Sequence, residues 1–184
     1  AEGGLQLQIT FALPHQLPLL LWKIHGENLG SAPLQLDRLT MLEFEEALPV
    51  QLAGREPAFF SNGWGSWNYT GAYGWRDHFR RTRLGPLAAP LRVNAGTPHP
   101  RERGHFASDH FGLLGDRSTR QALLVGFLSQ VEQFGTVETR LRPERSWLKL
   151  WANADGIRLD PGQSFTTDWA CLQFVQLDAP DPLL

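Results

Sequence analysis

Residues 5–13 read Leu5-Gln6-Leu7-Gln8-Ile9-Thr10-Phe11-Ala12-Leu13, apolar at every odd position and polar or small between. A period of two places the apolar set on one side of an extended strand and the polar set on the other, so the stretch predicts a β-strand with one wet face. Pro14 and Pro18 end it, and Leu19–His25 starts a second strand that closes at the turn Glu27-Asn28-Leu29-Gly30. Leu34–Phe44 predicts a third strand whose register slips at Asp37-Arg38, as a bulge would make it. Leu42–Leu48 could instead form a helical turn.

The second half of the chain has the same grammar. Ala122–Leu128 is apolar throughout, as in a strand covered on both faces, and it runs on through residues 130–134 to a turn at Gly135. Thr136–Arg142 and Ser146–Ala152 follow, then Asn153-Ala154-Asp155-Gly156 as a hairpin turn. Ile157–Leu159, the turn Asp160-Pro161-Gly162-Gln163 and a long strand Ser164–Leu177 complete the series. Many strands, Gly- and Pro-rich turns and no capped long helix predict an all-β fold, an antiparallel β-sandwich with long loops. No repeat of fixed period supports a propeller or solenoid.

Composition narrows the class. The 184 residues carry a net charge of −2, 42% apolar residues and seven Trp, enough to build a core in one domain spanning 1–184. Cys171 is the sole cysteine, which excludes an intrachain disulfide and a cysteine-based zinc site. It sits in a predicted strand like a buried thiol. No apolar run reaches the ~20 residues that span a bilayer, and the start shows no secretory signal pattern. A cytoplasmic protein without a membrane partner is the expectation.

Residues 54–118 break the alternation. Phe59–Trp75 reads FFSNGWGSWNYTGAYGW, with Trp64, Trp67, Trp75, Tyr69 and Tyr73 on glycine-rich backbone. Trp and Tyr join a flat apolar body to one polar handle, which suits the apolar face and hydroxyl rim of a sugar ring. Any one of these rings is more readily a core residue, but five on so much glycine read together as a binding loop. Trp64 is expected to point outward and Trp67 to anchor.

Trp75–His105 holds seven Arg against Asp77 and Glu102, a local excess of +5 within a chain of net −2. Basic residues beside aromatics can track single-stranded nucleic acid, but Arg outnumbers Lys 15 to 2 throughout the chain. A solvated loop pairing with acids elsewhere is the better reading, and no nucleic-acid partner is expected. His78, His99 and His105 lack metal-ligand spacing, so no metal or other cofactor is expected. No catalytic group is expected either. There is no G-x-S-x-G elbow, and Asp109, Asp116, Glu132, Glu138 and Asp168 read as turn residues or wet strand faces rather than a carboxylate pair.

Four segments carry a resemblance. Asn62-Gly63-Trp64-Gly65-Ser66-Trp67 resembles the N-G-W-Q-S-W signature in the amino-terminal domain of glycoside hydrolase family 36 α-galactosidases. Ser108-Asp109-His110-Phe111 is similar to that domain's S-D-x-F segment. Gly126-Phe127-Leu128-Ser129-Gln130, continuing to Glu132-Gln133-Phe134-Gly135, is similar to its G-F-L-S-Q-x-E-Q-F-G block. Leu159-Asp160-Pro161-Gly162, followed by Trp169, resembles its closing strand. Gly65 and Asn68 stand where the family carries Gln and Ser.

The resemblance implies a large supersandwich of galactose-mutarotase-like fold, ahead of a (β/α)8 barrel that carries both catalytic Asp residues and lies outside this chain. It implies a non-catalytic domain that packs on its own barrel and helps wall the galactose pocket of a retaining α-galactosidase. Trp64, Trp67, Asn62 and Tyr69 are the pocket residues it points to, galactosides bound by the whole enzyme are the ligand, and a homo-oligomer is left open. A free-standing carbohydrate-binding module is the alternative.

Overall fold

A computed structural model describes residues 4–44, 56–65, 68–80, 96–143 and 146–178. Twelve strands and no helix occur among these residues. The first three are β1 (Leu5–Ala12), β2 (Leu19–Asn28) and β3 (Leu34–Phe44). Two short strands, β4 (Pro57–Ser61) and β5 (Gly71–Gly74), bracket the aromatic loop. The central run is β6 (His105–Asp109), β7 (Phe111–Asp116), β8 (Gln121–Phe127) and β9 (Gly135–Arg140). The long β10 (Trp147–Leu159), the brief β11 (Ser164–Thr166) and β12 (Ala170–Gln176) finish the chain.

The strands form two antiparallel sheets. The larger runs β1-β2-β12-β8-β7-β4-β5, with β11 also paired to β2, and the smaller runs β3-β10-β9-β6. The expected all-β sandwich is therefore the observed architecture.

Its core lies where alternating side chains of both sheets meet. Trp22, Ile24, Phe59, Tyr73, Leu114 and Val125 come from the larger sheet; Met41, Phe106, Val137, Leu148 and Leu150 come from the smaller. The Phe106 ring stacks between Tyr73 at 4.5 Å and Phe59 at 6.4 Å, an aromatic bridge across the two layers. Each such side chain contributes roughly 1.5–3 kcal/mol on burial. Trp22 Nε1 donates to the Met41 carbonyl at 3.2 Å, so its indole leaves no buried donor unpaired. Cys171 is buried in β12 as expected, and burial pushes its thiol up to about 11.

Several strand expectations need correction. Asn153–Gly156 is not a hairpin turn, because β10 runs straight through it. Asp155 and Gly156 do take the left-handed backbone, at φ 52° and 74°, that an Asp-Gly pair favours. They use it to bulge out of the ladder: Asn153 pairs with Arg38 and the next pair is Ile157 with Leu36. The slip expected at Asp37-Arg38 and the turn signal at 153–156 are thus two sides of one bulge.

Other boundaries move as well. Residues 128–134 form a loop rather than extending β8, and Gly135 opens β9 instead of turning. The expected strand 164–177 breaks at Thr167-Asp168-Trp169 into β11 and β12. Phe44 ends β3, and the rest of the helical alternative, residues 45–48, lies outside the described residues. The wet face of β1 proves to be both faces. Leu7, Ile9, Phe11 and Leu13 are 47%, 52%, 64% and 77% exposed, because β1 is a sheet edge that nothing described overlies.

Candidate functional site

Three of the four motif segments converge with Asp168-Trp169 at one end of the sandwich. After β4 the chain turns outward through Asn62, Gly63 and Trp64, and its backbone is tied to the end of β6. Asn62 N donates to Ser108 Oγ at 2.7 Å, Asn62 Nδ2 donates to the Asp109 carbonyl at 3.0 Å, and Asp109 N donates to the Asn62 carbonyl at 2.9 Å. Trp64 N donates to Asp109 Oδ2 at 3.1 Å. Asn62 is therefore a pin of the loop, with its amide turned to backbone.

Trp64 is 47% exposed. It stands edge-on to His110 at 5.9 Å and to Phe134 at 6.4 Å. A rigidly held root with a half-exposed ring is the form of a contact platform.

A buried polar chain supports that root. Trp151 Nε1 donates to Asn153 Oδ1 at 2.8 Å, and Asn153 Nδ2 donates to Thr136 Oγ1 at 2.9 Å. Thr97 Oγ1 donates its hydrogen bond to Asp109 Oδ1 at 2.6 Å, which makes Thr136 the donor of the 2.9 Å bond between the two threonines. A buried carboxylate costs several kcal/mol unless such donors meet it. Asp109 is thus a structural clamp, not the wet-face or turn residue expected.

Asp168 holds the second wall. Ser129 Oγ donates to its Oδ1, Glu132 N donates to its Oδ2 at 3.0 Å, and its own N donates to Gln133 Oε1 at 3.1 Å. These bonds fold residues 129–133 back on the break between β11 and β12, and Phe134 follows. Asp168 is buried, against the expectation of an exposed acid. Asp116 is buried too, where it caps the 117–120 turn through Ser118 and Thr119. Burial raises the Asp116 carboxyl, but bonds from Ser118, Glu56 and Thr119 outweigh it and hold the group below its ordinary value.

His110 joins the two walls. It adopts a left-handed φ of 71° between β6 and β7, and its N–H donates to the Gly135 carbonyl at 2.9 Å. Burial pushes its imidazole below the usual value and the nearby Asp168 charge partly opposes this, so the ring is neutral at pH 7. Beside this corner a cavity of about 420 Å³ opens between Gln133, Phe134, Asn153, Ile157 and Phe165. The two acids bound into the corner, Asp109 and Asp168, both accept from backbone and hydroxyl donors. The arrangement can present a ring; it does not present a free carboxylate pair.

The other expected site residues fall elsewhere. Tyr69 packs edge-on against Tyr73 at 5.2 Å with the Arg80 guanidinium over its face, so its ring contacts belong to the core side of the loop. Tyr73 is core, and burial pushes its phenol up to about 12. Trp67 lies outside the described residues, as do Arg81, Arg83 and Arg92 of the basic loop. Arg76 sits over Trp75, and Arg103 Nε donates to His78 Nε2 at 3.0 Å. Among the described residues, no three His, Cys, Asp or Glu side chains are grouped to hold a metal. No described helix is long and apolar enough to cross a membrane.

Thr97, Asp109, His110, Phe134 and Asp168 all belong to this corner and lie outside the expected site set. An acid breaking the apolar alternation of 164–177 is the signal that Asp168 offered.

No protein-family model matches the chain, and no curated protein matches it in sequence. Solved structures do match in shape. The galactosidase domain of the α-galactosidase–sucrose kinase AgaSK superposes over 94% of this chain, with a TM-score of 0.61 and 10% identity. The family 36 α-galactosidase AgaB from Geobacillus stearothermophilus matches over 95%, with a TM-score of 0.58 and 12% identity. In each case the chain spans 22% of the matched structure's length. A TPR-domain containing protein from Parabacteroides distasonis also matches, over 98% of this chain and 32% of its own, with a TM-score of 0.50 and 10% identity. The chain has the sandwich fold found as one part of family 36 α-galactosidases.

Proposed function

We propose that residues 1–184 form the amino-terminal, non-catalytic sandwich domain of a cytoplasmic α-galactosidase, a retaining hydrolase of terminal α-linked galactose. In this reading the domain packs on its own (β/α)8 barrel and uses Trp64 to help wall the galactose pocket, on a loop that Asn62 pins and that Trp67 and Tyr69 share. The observation that carries it is Trp64 itself: a half-exposed residue on a root fixed by Asp109, with no free carboxylate pair beside it among the described residues. A barrel's site opens at the carboxyl ends of its strands, where an appended domain can narrow the mouth for a small oligosaccharide. The shared fold with part of much longer α-galactosidases supports the same reading.

Two assays test it. The 184-residue chain turns over no aryl α-galactoside, and turnover would refute the division of labour. In a polypeptide joining this chain to a barrel, Trp64→Ala raises KM for an α-galactoside several-fold; an unchanged KM would remove Trp64 from the pocket. The half-exposed ring also favours a second reading, a free-standing carbohydrate-binding module. Calorimetry with millimolar galactose separates the two, and a flat titration is expected because one wall buries too little of a ligand.

A further inference from the structure

Besides the three-residue β11, which pairs only with β2, the two sheets have four outer strands among the described residues, β1, β5, β3 and β6, and three of these four are guarded in the ways proteins guard an edge. β5 is only four residues long, and β6 is five and ends at Asp109. β3 carries Asp37, Arg38 and Glu43 and loses register twice against β10. β1 has none of these protections. Its eight residues hold no charge, no proline and no bulge, and they pair with β2 in unbroken register from Leu5↔Asn28 to Ala12↔Leu21. Ile9 lies level with Ile24 and Phe11 with Trp22, so the exposed side chains of β1 continue the core layer beyond the smaller sheet.

From this geometry we infer that β1 is a self-pairing edge, and that its occupant is β1 of a second copy of this chain. The sequence is complementary to itself about Ile9. In a two-fold antiparallel pairing with Ile9 opposite Ile9 of the partner subunit, Leu7 meets Phe11 of the partner subunit and Leu5 meets Leu13 of the partner subunit. Gln8 meets Thr10 of the partner subunit on the other face, where amide and hydroxyl can hydrogen-bond. The central pairs thus match apolar to apolar and polar to polar, while toward the ends Gln6 meets the small Ala12 of the partner subunit and Leu13 lies one residue past β1; a one-residue slip would set apolar against polar along the whole seam. The strand is uncharged, so two copies approach without repulsion across the seam. The pairing would satisfy the edge N–H and C=O groups of β1 that no other described strand pairs, and would join two larger sheets into one. One strand per copy makes a small contact, in the class of weak and reversible interfaces, so a reversible monomer–dimer equilibrium is expected. This inference is independent of the proposed role of Trp64.

Sedimentation velocity of the 184-residue chain across the micromolar range tests it. A monomer–dimer equilibrium is expected, with Ile9→Lys and, on the polar face, Gln8→Lys each monomeric at unchanged far-UV circular dichroism. Cys171 is buried, so Ile9→Cys introduces the only accessible thiol. Mild oxidation is expected to cross-link that variant to a dimer, and not the Val131→Cys control at an 82% exposed site. A chain monomeric at every concentration, a dimer that survives both lysine variants, or equal cross-linking of the control would each overturn the proposal.

Discussion

Asp109 Oδ2 accepts the backbone N–H of Trp64 at 3.1 Å, while Oδ1 of the same carboxylate accepts the Thr97 hydroxyl at 2.6 Å. The buried acid therefore joins an outward-pointing aromatic loop to a hydroxyl and amide chain reaching Trp151 inside the smaller sheet. Position is set by the backbone bond, and exposure is left to the ring.

The two residues should then respond differently to truncation. Asp109→Ala removes the acceptor of two charge-assisted bonds and strands buried donors, at a cost of about 3 kcal/mol. Trp64→Ala removes a ring that is already half in water, so its cost should stay near ~1 kcal/mol, against about 3–5 kcal/mol for a fully buried Trp. Urea denaturation of both variants checks the order. Acrylamide quenching of tryptophan emission should rise in Asp109→Ala as the loop loosens.

Much of this fold is readable from residue order, and the misses share a cause. Alternation in residues 5–13 correctly marks a strand, but apolarity at Leu7, Ile9 and Phe11 does not reveal whether a second layer overlies them. That depends on the smaller sheet ending short of β1. The Asp155-Gly156 pair correctly marks left-handed backbone, while its use as a bulge depends on β3 lying alongside. Asp168 looks like an isolated acid because Ser129, Glu132 and Gln133 come from 35 to 39 residues away. Trp64 was legible because glycine on both sides announces a loop in which a large ring must be turned one way or the other.

Asp168 makes a local prediction. Replacing it with Ala removes the acceptors of the Ser129 hydroxyl and the Glu132 N–H, and leaves the Leu128 N to Trp169 carbonyl bond at 2.8 Å intact. Hydrogen exchange at the Glu132 amide should accelerate at least tenfold, the equivalent of about 1.4 kcal/mol of local stability, while the β8 amides stay protected. Uniform acceleration across β8 would instead assign Asp168 to the global core.

Gly135 is a packing constraint. A Cβ added there would lie 2.1 Å from Cδ2 and 2.4 Å from Cε2 of the buried Phe127 ring. Gly135→Ala should therefore cost about 1–3 kcal/mol by overpacking. Phe127→Leu costs stability alone, yet the double variant should be more stable than the sum of the two single losses. Simple additivity in urea melts would show that the clash is relieved by backbone movement instead.

His110 connects this corner to pH. Burial lowers its pKa from 6.5 in the folded chain, and the Asp168 carboxylate pulls the other way without reversing the shift. Below 6.5 the unfolded chain takes up a proton at this position that the folded chain resists, so ν for the unfolded state exceeds that for the native state and stability rises with pH across this window. The His110 contribution is therefore fully present above about pH 6.5, declines as pH falls toward the folded value, and is flat below it. His110→Asn keeps a residue that tolerates the φ of 71° and removes the titration. Its urea midpoint should lose less than the wild type's between about pH 7.5 and 5, the other five histidines being common to both chains. A larger loss in the variant would mean that the protonated ring is favoured in the fold, with the Asp168 charge outweighing burial. The edge contact with Trp64 adds a second readout. Protonation of a ring 5.9 Å from the indole should quench Trp64 emission only below the window in which the free imidazole titrates, and Trp64→Phe should abolish that change.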